Sequence, residues 1–600
     1  MGLEELLRDR LGAVFDELVV EGSLDAAAVR AARISVEPPR KGGRGDVTTN
    51  AALVLAKAAG LSPRDLAATL AARLGRDPWV TSAEVAGPGF VNLTLAPEAF
   101  HHVLAEILAA GAGYGRAPAA SRSRVNVEFV SANPTGPLLV SHGRGAILGD
   151  VVARLLEATG HRVTREYYVN DFGNQVRLLA DSVLAAAAGQ EPPEGGYGGA
   201  YVAELAAWFA AHRPELLEPA RDEERRRLCV LLMLEGIEGS DLLGIRPMLR
   251  RMGIEFDVWS SEEALHRWGR VERSLRGLAA RERLRQAEDG AVYFVTGDED
   301  DKDRVVRKSN GDYTYFASDI AYHEDKLARG FERLVNLWGA DHHGYVARLR
   351  SAIEATGGDP SALEVVLFQL VKLVRDGREV RMGKRLGNLI TLQEVVEEID
   401  EAVKNPHAGR DALRIYYLSR RADTSIVLDL DLAKKQEAEN PVFYIQYGHA
   451  RLASIQRRAA ERFGIATPRY GAALAAHLTH PLELAILAEL GRFPAVLEDA
   501  AAGRDPHKLV FYLDGLAKAF QSYYSQTKKE RDTILPGDSD LVAERPGRWD
   551  WERTRGRLLW VEALRTVYAS GLSLLGVTAP ERMVRAAAGA EDGEPDGADG

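Results

Sequence analysis

The residues best suited to binding or catalysis lie between Val125 and Asp150, in the stretch VNVEFVSANPTGPLLVSHGRGAILGD. Its first part alternates apolar with polar residues, which predicts a strand. Pro134 to Pro137 end the strand, because proline cannot donate to a ladder and glycine permits a sharp turn. From His142 onward apolar residues recur at helical spacing. A helix N-terminus that follows a strand favours anions, so the stretch indicates a nucleotide-phosphate site, although many α/β proteins contain this unit and bind nothing.

A second candidate for phosphate chemistry is the loop RMGKRLGN at 381–388. It follows two predicted strands joined by an Asp-Gly turn signal. It carries Arg381, Lys384 and Arg385 beside two glycines. Cations on a closing loop can hold the phosphates of a nucleotide. Considered alone, however, the loop would be interpreted as a basic surface turn.

Two further groups of polar residues are candidates for a ligand site. Tyr315 and Asp319 are four residues apart, so both can face one cavity if they lie on a helix. Asp341, His342 and His343 follow a short apolar stretch that predicts a buried parallel strand. Neighbouring histidines on a helix diverge by about 100° and rarely share a metal ion. A polar lining at the carboxyl edge of a sheet is therefore the better interpretation.

The bulk composition is that of a globular protein with several domains. The chain has 600 residues, of which 46% are hydrophobic and 27% charged. Its single cysteine, Cys229, excludes an internal disulfide and a multi-cysteine zinc site. The absence of a signal peptide and of a run of about 18 apolar residues predicts a cytoplasmic protein with no membrane partner. A net charge of −11 argues against indiscriminate nucleic-acid binding but still allows a local basic track.

Most of the chain resembles one family. The segment ANPTGPLLVSHGRG at 132–145 resembles the first signature of class I aminoacyl-tRNA synthetases, and EFVSANPTGP, GRGAILGD and REYYVNDFGNQ resemble arginyl-tRNA synthetases specifically. The loop at 381–388 resembles the second signature of the class, Lys-Met-Ser-Lys-Ser, in its arginyl variant. Segments such as GDVTTNAALVLAK and LSLLGVTAPERM extend the resemblance over nearly all of residues 1–585.

The resemblance implies a multidomain fold, α/β plus all-α, with a Rossmann-like parallel-sheet catalytic domain. The expected divisions are 1–118 for an N-terminal α+β domain that contacts tRNA, 119–400 for the catalytic nucleotide-binding domain with an insertion at about 186–290, 401–585 for a helical anticodon-binding bundle, and 586–600 for a disordered acidic tail. After the mostly helical insertion, the main sheet is expected to resume at 289–295.

The resemblance also implies a reaction. L-arginine is activated with ATP to arginyl-adenylate and transferred to the 3′ end of tRNA(Arg), by a monomer in which activation generally requires bound tRNA. ATP brings Mg²⁺ with it, and no structural metal is expected. Arginine as substrate requires carboxylates, because a planar guanidinium is best matched by bidentate acceptors.

The site residues implied by the resemblance fall into three sets. The expected catalytic residues are His142, Lys384 and Arg385. The expected ATP-binding residues are Thr135, Gly136, Pro137, Leu139, Ser141, His142, Gly143, Met382, Gly383 and Lys384. The expected arginine-binding residues are Glu128, Ser131, Ala132, Asn133, His142, Tyr315, Asp319, Asp341 and His343.

Aromatic residues lie among cations in the C-terminal helices. Tyr444, Tyr447, Arg451 and Lys528 are the expected tRNA-binding residues, since rings that stack unpaired bases beside cations that hold phosphates are how RNA loops are recognised. The alternative is that many of these tyrosines are core residues with a solvated hydroxyl.

Three positions depart from the class signatures. Leu139 replaces a histidine, Ser141 replaces a glycine, and Gly383 replaces a serine. The loss of a single donor that acts at the transition state costs about 3–4 kcal/mol if nothing compensates. The preferred hypothesis is an active enzyme. The alternatives are a catalytically impaired relative that binds tRNA or arginine as a regulatory module, and a different adenylate-forming enzyme on the same fold.

Overall fold

The computed structural model describes residues 2–39, 43–240, 243–296, 302–380, 390–437, 439–537 and 549–583. The predicted acidic tail and the predicted phosphate loop lie outside the described residues. The loop residues concerned are Arg381, Met382, Gly383, Lys384 and Arg385.

The N-terminal region packs helices against a four-stranded antiparallel sheet of order β1-β2-β4-β3. The predicted helix start at Ser62-Pro63 is confirmed, because Ser62 accepts a hydrogen bond from the Asp65 N–H and Pro63 lies in the first turn. The elements are α1 (Leu3–Val20), α2 (Ala26–Ala31), β1 (Val36–Glu37), β2 (Val47–Thr49), α3 (Ala51–Ala59), α4 (Pro63–Leu74), β3 (Val80–Ala86), β4 (Phe90–Leu95) and α5 (Pro97–Ala110).

The stretch from Val125 to Asp150 forms the predicted strand, turn and helix. β5 and β6 pair in parallel, from Arg124 with Arg162 to Glu128 with Glu166, which is the predicted crossover. Gly149 allows the intervening helix to lie close to the sheet, because a Cβ there would come within 2.1 Å of the Phe129 ring. The elements are β5 (Arg124–Glu128), α6 (Val140–Ala158), β6 (Arg162–Val169) and α7 (Asn174–Ala187).

The insertion is mostly helical, as predicted, but it also contributes a strand to the main sheet. β7 pairs in parallel with β6 at the edge of that sheet. The prediction that the main sheet resumes at 289–295 is wrong, because this segment forms β9 between β8 and β10 in a separate antiparallel sheet. The elements are α8 (Ala200–His212), α9 (Asp222–Glu235), α10 (Ile245–Arg251), β7 (Val258–Ser261), α11 (Glu262–Arg267), α12 (Arg270–Ala280), β8 (Leu284–Gln286), β9 (Val292–Phe294), β10 (Arg304–Arg307) and α13 (Tyr315–Ala328).

Two more strands complete the main sheet. They are β11 (Arg333–Gly339) and β12 (Leu363–Phe368), with α14 (Val346–Ala355) between them. The order is β12-β11-β5-β6-β7 and every pair in it is parallel. From β5 the chain proceeds to one side of the sheet and from β11 to the other. The boundary between β5 and β11 is therefore the topological switch point, where open α/β sheets form a ligand crevice at the carboxyl edge.

A small sheet of order β14-β13-β15 lies between the main sheet and the C-terminal helices along the chain. Asp376 and Gly377, both with positive φ, form the predicted tight turn between its first two strands. The elements are β13 (Val371–Arg375), β14 (Arg378–Val380), α15 (Leu392–Val403), α16 (Ala408–Leu418), β15 (Ile426–Asp429), α17 (Leu430–Ala433), α18 (Pro441–Phe463), α19 (Ala472–Ala475), α20 (Pro481–Gly491), α21 (Phe493–Gly503), α22 (His507–Glu530) and α23 (Trp551–Leu575).

Helix α16 attaches this helical region to helix α6 of the main sheet. The guanidinium of Arg414 is fully buried and donates to Asp150 Oδ2 at 2.8 Å and to the Leu575 carbonyl at 2.9 Å. The Tyr417 hydroxyl donates to the Val140 carbonyl in the first turn of α6 at 3.0 Å. The two contacts fix α6, and therefore the residues at its N-terminus, relative to the bundle.

Helix α23 is the one described helix that is long and apolar enough, by length and composition, to cross a membrane. In its most apolar window, 72% of the residues are buried among neighbouring helices, as in the core helix of a soluble protein. The predicted combination of a parallel-sheet α/β core, an N-terminal α+β region and C-terminal helices is confirmed.

Candidate active site

The candidate site lies at the carboxyl edge of the main sheet, at the switch point between β5 and β11. β5 ends at Glu128, β6 at Val169 and β11 at Gly339, while α6 begins at Val140 after the loop that leaves β5. Side chains from several non-consecutive segments therefore meet at one edge. This is the position at which the sequence predicts a ligand site.

The loop that leaves β5 has a strained backbone. Val130 and Ser131 have φ angles of 68° and 42°, a left-handed conformation that is costly for residues other than glycine. The Tyr168 N–H donates to Ser131 Oγ at 3.1 Å, and Asn170 Nδ2 donates to the Ser131 carbonyl at 3.2 Å. Such backbone persists only where its surroundings hold it. Ser131 is thus fixed at the sheet edge by two bonds from β6 and the residue that follows it.

Glu128, at the end of β5, is paired with a buried lysine from α13. Lys326 Nζ lies 2.5 Å from Glu128 Oε2 and 3.4 Å from Asn336 Oδ1. Lys326 is 0% exposed and Glu128 is 7% exposed. Ser131 Oγ donates to the other carboxylate oxygen of Glu128 at 3.2 Å. The negative charge of Glu128 is therefore already balanced by Lys326, which the sequence did not reveal as part of the site.

We predict that Lys326→Met destabilises the protein by about 3–5 kcal/mol, because the change leaves Glu128 as an unpaired buried charge. Urea-induced unfolding measures the effect. The double variant Lys326→Met with Glu128→Gln should recover most of the loss, since no uncompensated charge remains. A single variant as stable as the wild type would show that the pair is not buried as described.

Asp319 and Tyr315 lie on α13 one helical turn apart, as predicted, and both interact electrostatically with Glu262. Burial, with a further contribution from the negative charge of Glu128, raises the pKa of Asp319 to about 7. The Tyr345 hydroxyl donates to Asp319 Oδ2. The ring of Tyr315 is 56% exposed. Asp319 is therefore a carboxyl group held in a poorly solvated position beside an accessible aromatic ring.

Glu262, the first residue of α11, is a site residue that sequence reasoning missed. It is 2% exposed, and within the described part of the chain its Oε2 atom has no hydrogen-bond partner. Burial, reinforced by the negative charges of Asp319 and Asp171, raises the pKa of Glu262 to about 8, while a hydrogen bond with Ser318 lowers it. Glu262 thus offers an unused acceptor within a cluster of carboxylates.

Asp171 and Tyr168 complete the cluster. Burial raises the pKa of Asp171, whose Oδ1 accepts a hydrogen bond from the Glu263 N–H at 2.8 Å. The buried hydroxyl of Tyr168 has no hydrogen-bond partner among the described residues. Burial is the main cause of its raised pKa, followed by the charges of Glu262, Asp319, Glu128 and Asp171.

We call Glu262, Asp319, Asp171, Tyr168 and Tyr315 the acidic pocket. Among the described residues its carboxylates form no ion pair of their own, and Lys326, which lowers the pKa of Asp319, is bonded to Glu128. Buried carboxylates with raised pKa values and an unused acceptor indicate a site for a cation. A planar cation with several N–H donors, a guanidinium, satisfies such acceptors better than a point charge does.

The start of α6 presents the predicted ATP-binding residues. The His142 ring lies at the third position of the helix, where its Nδ1 accepts a hydrogen bond from the Leu139 N–H at 3.1 Å. Ser141 and His142 are partly exposed. Gly143 is required by packing, since a Cβ there would lie 2.9 Å from Leu392 Cδ1. The helix N-terminus is thus accessible to an anion while the face behind it is closely packed.

The turn that precedes α6 is tied to its surroundings. The Thr135 carbonyl accepts a hydrogen bond from the Tyr201 hydroxyl at 3.0 Å, and the Tyr201 ring lies next to Gly136. Gly136 and Pro137 are partly exposed, whereas Thr135 is buried. The insertion therefore helps to hold the turn that leads into the first turn of α6.

The segment that follows residue 389 is hydrogen-bonded to the start of α6 and to the residue before its N-cap. The Val140 N–H donates to the Ile390 carbonyl at 3.2 Å, and the Leu392 N–H donates to the Leu138 carbonyl at 2.7 Å. Lys384 lies six residues before Ile390 along the chain, outside the described residues.

The remaining predicted arginine-binding residues either bond to other residues or are exposed to solvent. The Ala132 carbonyl accepts a hydrogen bond from the buried Tyr167 hydroxyl at 2.7 Å. Asn133 is exposed and donates to Gln175 Oε1 at 2.5 Å. Asp341 and His343 are exposed on the 3₁₀ turn Ala340–Tyr345, and in the described part of the chain neither bonds to the acidic pocket. Tyr345, at the end of that turn, makes the contact to Asp319 instead.

The predicted tRNA-binding residues lie on α18 and α22. Tyr444, Tyr447 and Arg451 are partly exposed on α18, and Lys528 is exposed on α22. Tyr523 is fully buried, with its hydroxyl bonded to Glu483 at 2.9 Å. The expectation that many aromatics of the bundle are core residues therefore holds for Tyr523. No group of three or more potential metal-ligating side chains is found among the described residues.

Three family models match the chain. The model of the class I tRNA synthetase catalytic domain for arginine matches residues 103–408. The model of the arginyl-tRNA synthetase N-terminal domain matches residues 3–95. The model of the DALR anticodon binding domain matches residues 445–583. Together they match the part of the chain that contains the main sheet and the parts that precede and follow it in sequence.

Named relatives and solved structures indicate the same family as the three models. The arginine–tRNA ligase of Frankia alni is 43% identical over 96% of this chain and 99% of its own length. That of Syntrophotalea carbinolica is 41% identical over 97% of this chain and its full length. The Thermus thermophilus arginyl-tRNA synthetase structure has the same fold, with a TM-score of 0.71 at 23% identity over 96% of this chain and all of that one. The chain belongs to the arginine–tRNA ligase family, the arginyl-tRNA synthetases of class I.

Proposed function

We propose that this arginine–tRNA ligase binds the guanidinium of L-arginine in the acidic pocket, between Asp319 and Glu262. The observation that carries the proposal is the buried side chain of Glu262, which is 2% exposed and has an Oε2 atom with no hydrogen-bond partner among the described residues. Burial raises the pKa of Glu262 to about 8 and that of Asp319 to about 7. Within the described residues neither carboxyl has an ion pair with a cation of its own, since Lys326, which lowers the pKa of Asp319, is bonded to Glu128. A bound guanidinium would supply that cation and would donate to the unused Oε2 atom of Glu262.

Specificity for arginine over lysine follows from the same acceptors. A lysine ammonium is a compact charge with three donors and cannot bridge two carboxylates in one plane. The unmatched acceptors of the pocket would then remain buried and unpaired, which is the strongest form of rejection available to a binding site. The exposed ring of Tyr315 would cover one face of the planar guanidinium.

For the second substrate, we assign the ATP phosphates to the N-terminus of α6 and to the cations of the 381–389 loop. His142 would lie where negative charge develops on the α-phosphate, and Lys384 and Arg385 would hold the departing pyrophosphate. Mg²⁺ would arrive on the ATP phosphates. Catalysis would consist of positioning and charge stabilisation, with no protein nucleophile.

The third substrate is tRNA(Arg), which we assign to the N-terminal region, the insertion and the C-terminal helices together. The division of the chain into four parts, with boundaries at 118, 400 and 585, remains part of this proposal. A monomeric state and a cytoplasmic location belong to it as well. On α18 and α22, Tyr447, Arg451 and Lys528 are accessible to an RNA loop. Their mixture of rings and cations suits unpaired bases and phosphates.

Charging of tRNA(Arg) with radiolabelled arginine by the purified protein tests the proposal. Product should form with arginine and not with lysine, and ATP–pyrophosphate exchange should be measured with tRNA present. Binding of tRNA without any charging would favour the alternative of a regulatory relative. The curated relatives, all named arginine–tRNA ligases, support the active enzyme.

The two departures at the start of α6 give a sharper test of the active enzyme. We predict that Leu139→His with Ser141→Gly changes kcat for charging by less than about threefold, because His142 and the cations of the 381–389 loop already supply donors. Steady-state charging measures the effect. An increase of about 10²-fold or more would show that the natural residues impair the enzyme, as the loss of a key donor does.

A further inference from the structure

Among the described residues, the ammonium of Lys326 contacts one carboxylate, one amide oxygen and one aromatic ring. It lies 2.5 Å from Glu128 Oε2, 3.4 Å from Asn336 Oδ1 and 4.3 Å from the centroid of the Tyr322 ring. Lys326 and Asn336 are both 0% exposed. A lysine ammonium has three N–H donors, and all three kinds of group can receive one. The ammonium is therefore held by three neighbours, none of which belongs to the acidic pocket.

His323, on the same helix, determines which end of the Asn336 amide faces Lys326. His323 Nδ1 lies 2.8 Å from the Asp319 carbonyl oxygen, which can only accept, so Nδ1 carries the proton. Burial, with a smaller contribution from the positive charge of Lys326, lowers the pKa of His323 to about 3, so the ring is neutral and Nε2 is an acceptor. Asn336 Nδ2 donates to that Nε2 at 2.9 Å. The amide oxygen of Asn336 is consequently left facing Lys326.

Asp319 is a competing partner for the same ammonium. It precedes Lys326 by seven residues on α13, so both side chains lie on one face of the helix. Side chains on a helix lean toward its N-terminus, which is the direction of Asp319 from Lys326. Burial raises the pKa of Asp319, whereas the positive charge of Lys326 lowers it, although no hydrogen bond joins the two in the described part of the chain. An ammonium that turned toward Asp319 would therefore enter the proposed arginine site.

On the basis of that proposed arginine site, we propose that Asn336 and His323 are positioning residues that keep the ammonium of Lys326 out of the acidic pocket. They do so by holding it on Glu128. Without the Asn336 oxygen, the ammonium would share its charge between Glu128 and Asp319. The protein would then supply its own cation at the place where the substrate must bring one. Asn336 and His323 therefore contribute to arginine affinity without touching the substrate.

Asn336→Leu tests the proposal, because leucine keeps the size of the side chain and removes the oxygen. KM for arginine should rise by about five- to tenfold while kcat stays within about twofold, because an ammonium that occupies the pocket for most of the time lowers the apparent affinity and is displaced by saturating arginine. Equilibrium dialysis of labelled arginine should show the same loss of affinity. A fall in kcat with an unchanged KM would overturn the proposal.

The matched control is Asn126→Leu, the same change on the adjacent strand β5 of the same sheet. Asn126 is also 0% exposed, and its side chain donates to Glu166 Oε2 at 2.6 Å. KM for arginine should change by less than about twofold in this variant, because Asn126 does not bond to Lys326. A rise equal to that in Asn336→Leu would assign the effect to any polar group lost from the sheet, and the proposal would be wrong.

A second background removes the ammonium itself. In Lys326→Met with Glu128→Gln, the addition of Asn336→Leu should change arginine affinity by less than about twofold, because no ammonium remains to be released. A loss as large as the one that Asn336→Leu causes alone would show that Asn336 acts by another route. That result would also overturn the proposal.

Two variants of His323 test the orientation of the amide. His323→Gln keeps an acceptor for Asn336 and should raise KM for arginine by less than about threefold, whereas His323→Met removes the acceptor and should match Asn336→Leu. Equal effects of the two variants would contradict the role of His323. Failure of the wild type to bind arginine or to charge tRNA would instead refute the proposed function.

Discussion

Asp319→Asn should lower kcat/KM for arginine by about 10²- to 10³-fold, which corresponds to a loss of about 3–4 kcal/mol. The change keeps the shape of the side chain but replaces one acceptor with an N–H donor. That donor would face the N–H groups of the guanidinium, and the buried cation would lose one of its two main carboxylates. Steady-state charging at varied arginine concentration measures the effect, which should fall mainly on KM.

The matched control is Asp341→Asn, at an exposed position of the turn Ala340–Tyr345 that does not bond to the acidic pocket. Its kcat/KM should stay within about twofold of the wild type, because an exposed polar change contributes little. The two variants carry the same chemical change, so their difference isolates the position. Equal losses in both would mean that the arginine site extends over the turn and is not centred on Asp319.

Asp319 and Asp341 also show how much of the site could be predicted from the sequence. Tyr315 and Asp319 are four residues apart, and the prediction that they lie one helical turn apart is confirmed by α13. Asp341 and His343 also follow a strand of the main sheet, but the sequence could not show that the chain continues there as a 3₁₀ turn. That turn brings Tyr345 to Asp319 and leaves Asp341 in solvent. Spacing within a helix is therefore more informative than position after a strand.

Glu262 could not have been found from the sequence. It lies in SSEEALHR, where an acidic residue after a serine is typical of a solvated helix start. Its burial depends on β7, which joins the main sheet beside β6 and places the first turn of α11 against Asp171 and Ser318. Because no local pattern encodes which sheet a short strand joins, the burial of Glu262 among carboxylates is visible only in the assembled fold. The same limit explains why the segment 289–295 was assigned to the wrong sheet.

Lys326 illustrates a different limit. A lysine in the stretch YHEDKLARG predicts an exposed helix face, yet its side chain is 0% exposed and paired with Glu128, almost two hundred positions away. The apolar stem of a lysine can be buried if its charge finds a partner. The sequence resemblance placed Glu128 in the arginine site. The structure adds that the charge of Glu128 is paired with Lys326, which is why we assign the main attraction for the substrate to Asp319 and Glu262.

Arginine affinity should rise by about 10²- to 10³-fold between pH 6 and pH 8, because the guanidinium binds the ionised forms of Asp319 and Glu262. In the free protein burial raises the pKa of Asp319 to about 7 and that of Glu262 to about 8. At pH 6 both carboxyls therefore carry protons that arginine must displace, and at pH 8 Asp319 is largely ionised. Equilibrium dialysis of labelled arginine measures the dissociation constant, which would not change over this range if the carboxylates lay elsewhere.

Glu262→Gln separates binding from stability, because the two depend on pH in opposite directions. Both folded-state pKa values are raised above those of the unfolded chain, so the folded protein without arginine binds more protons between about pH 4 and pH 8. Its stability should consequently fall as pH rises through this window. Glu262→Gln should reduce this pH-dependent fall in the free energy of unfolding by about 4 kcal/mol. It should also reduce the number of protons released on arginine binding from two to one. Urea-induced unfolding and arginine dialysis across the same pH series measure the two slopes, and a variant that flattened neither would place Glu262 outside the pocket.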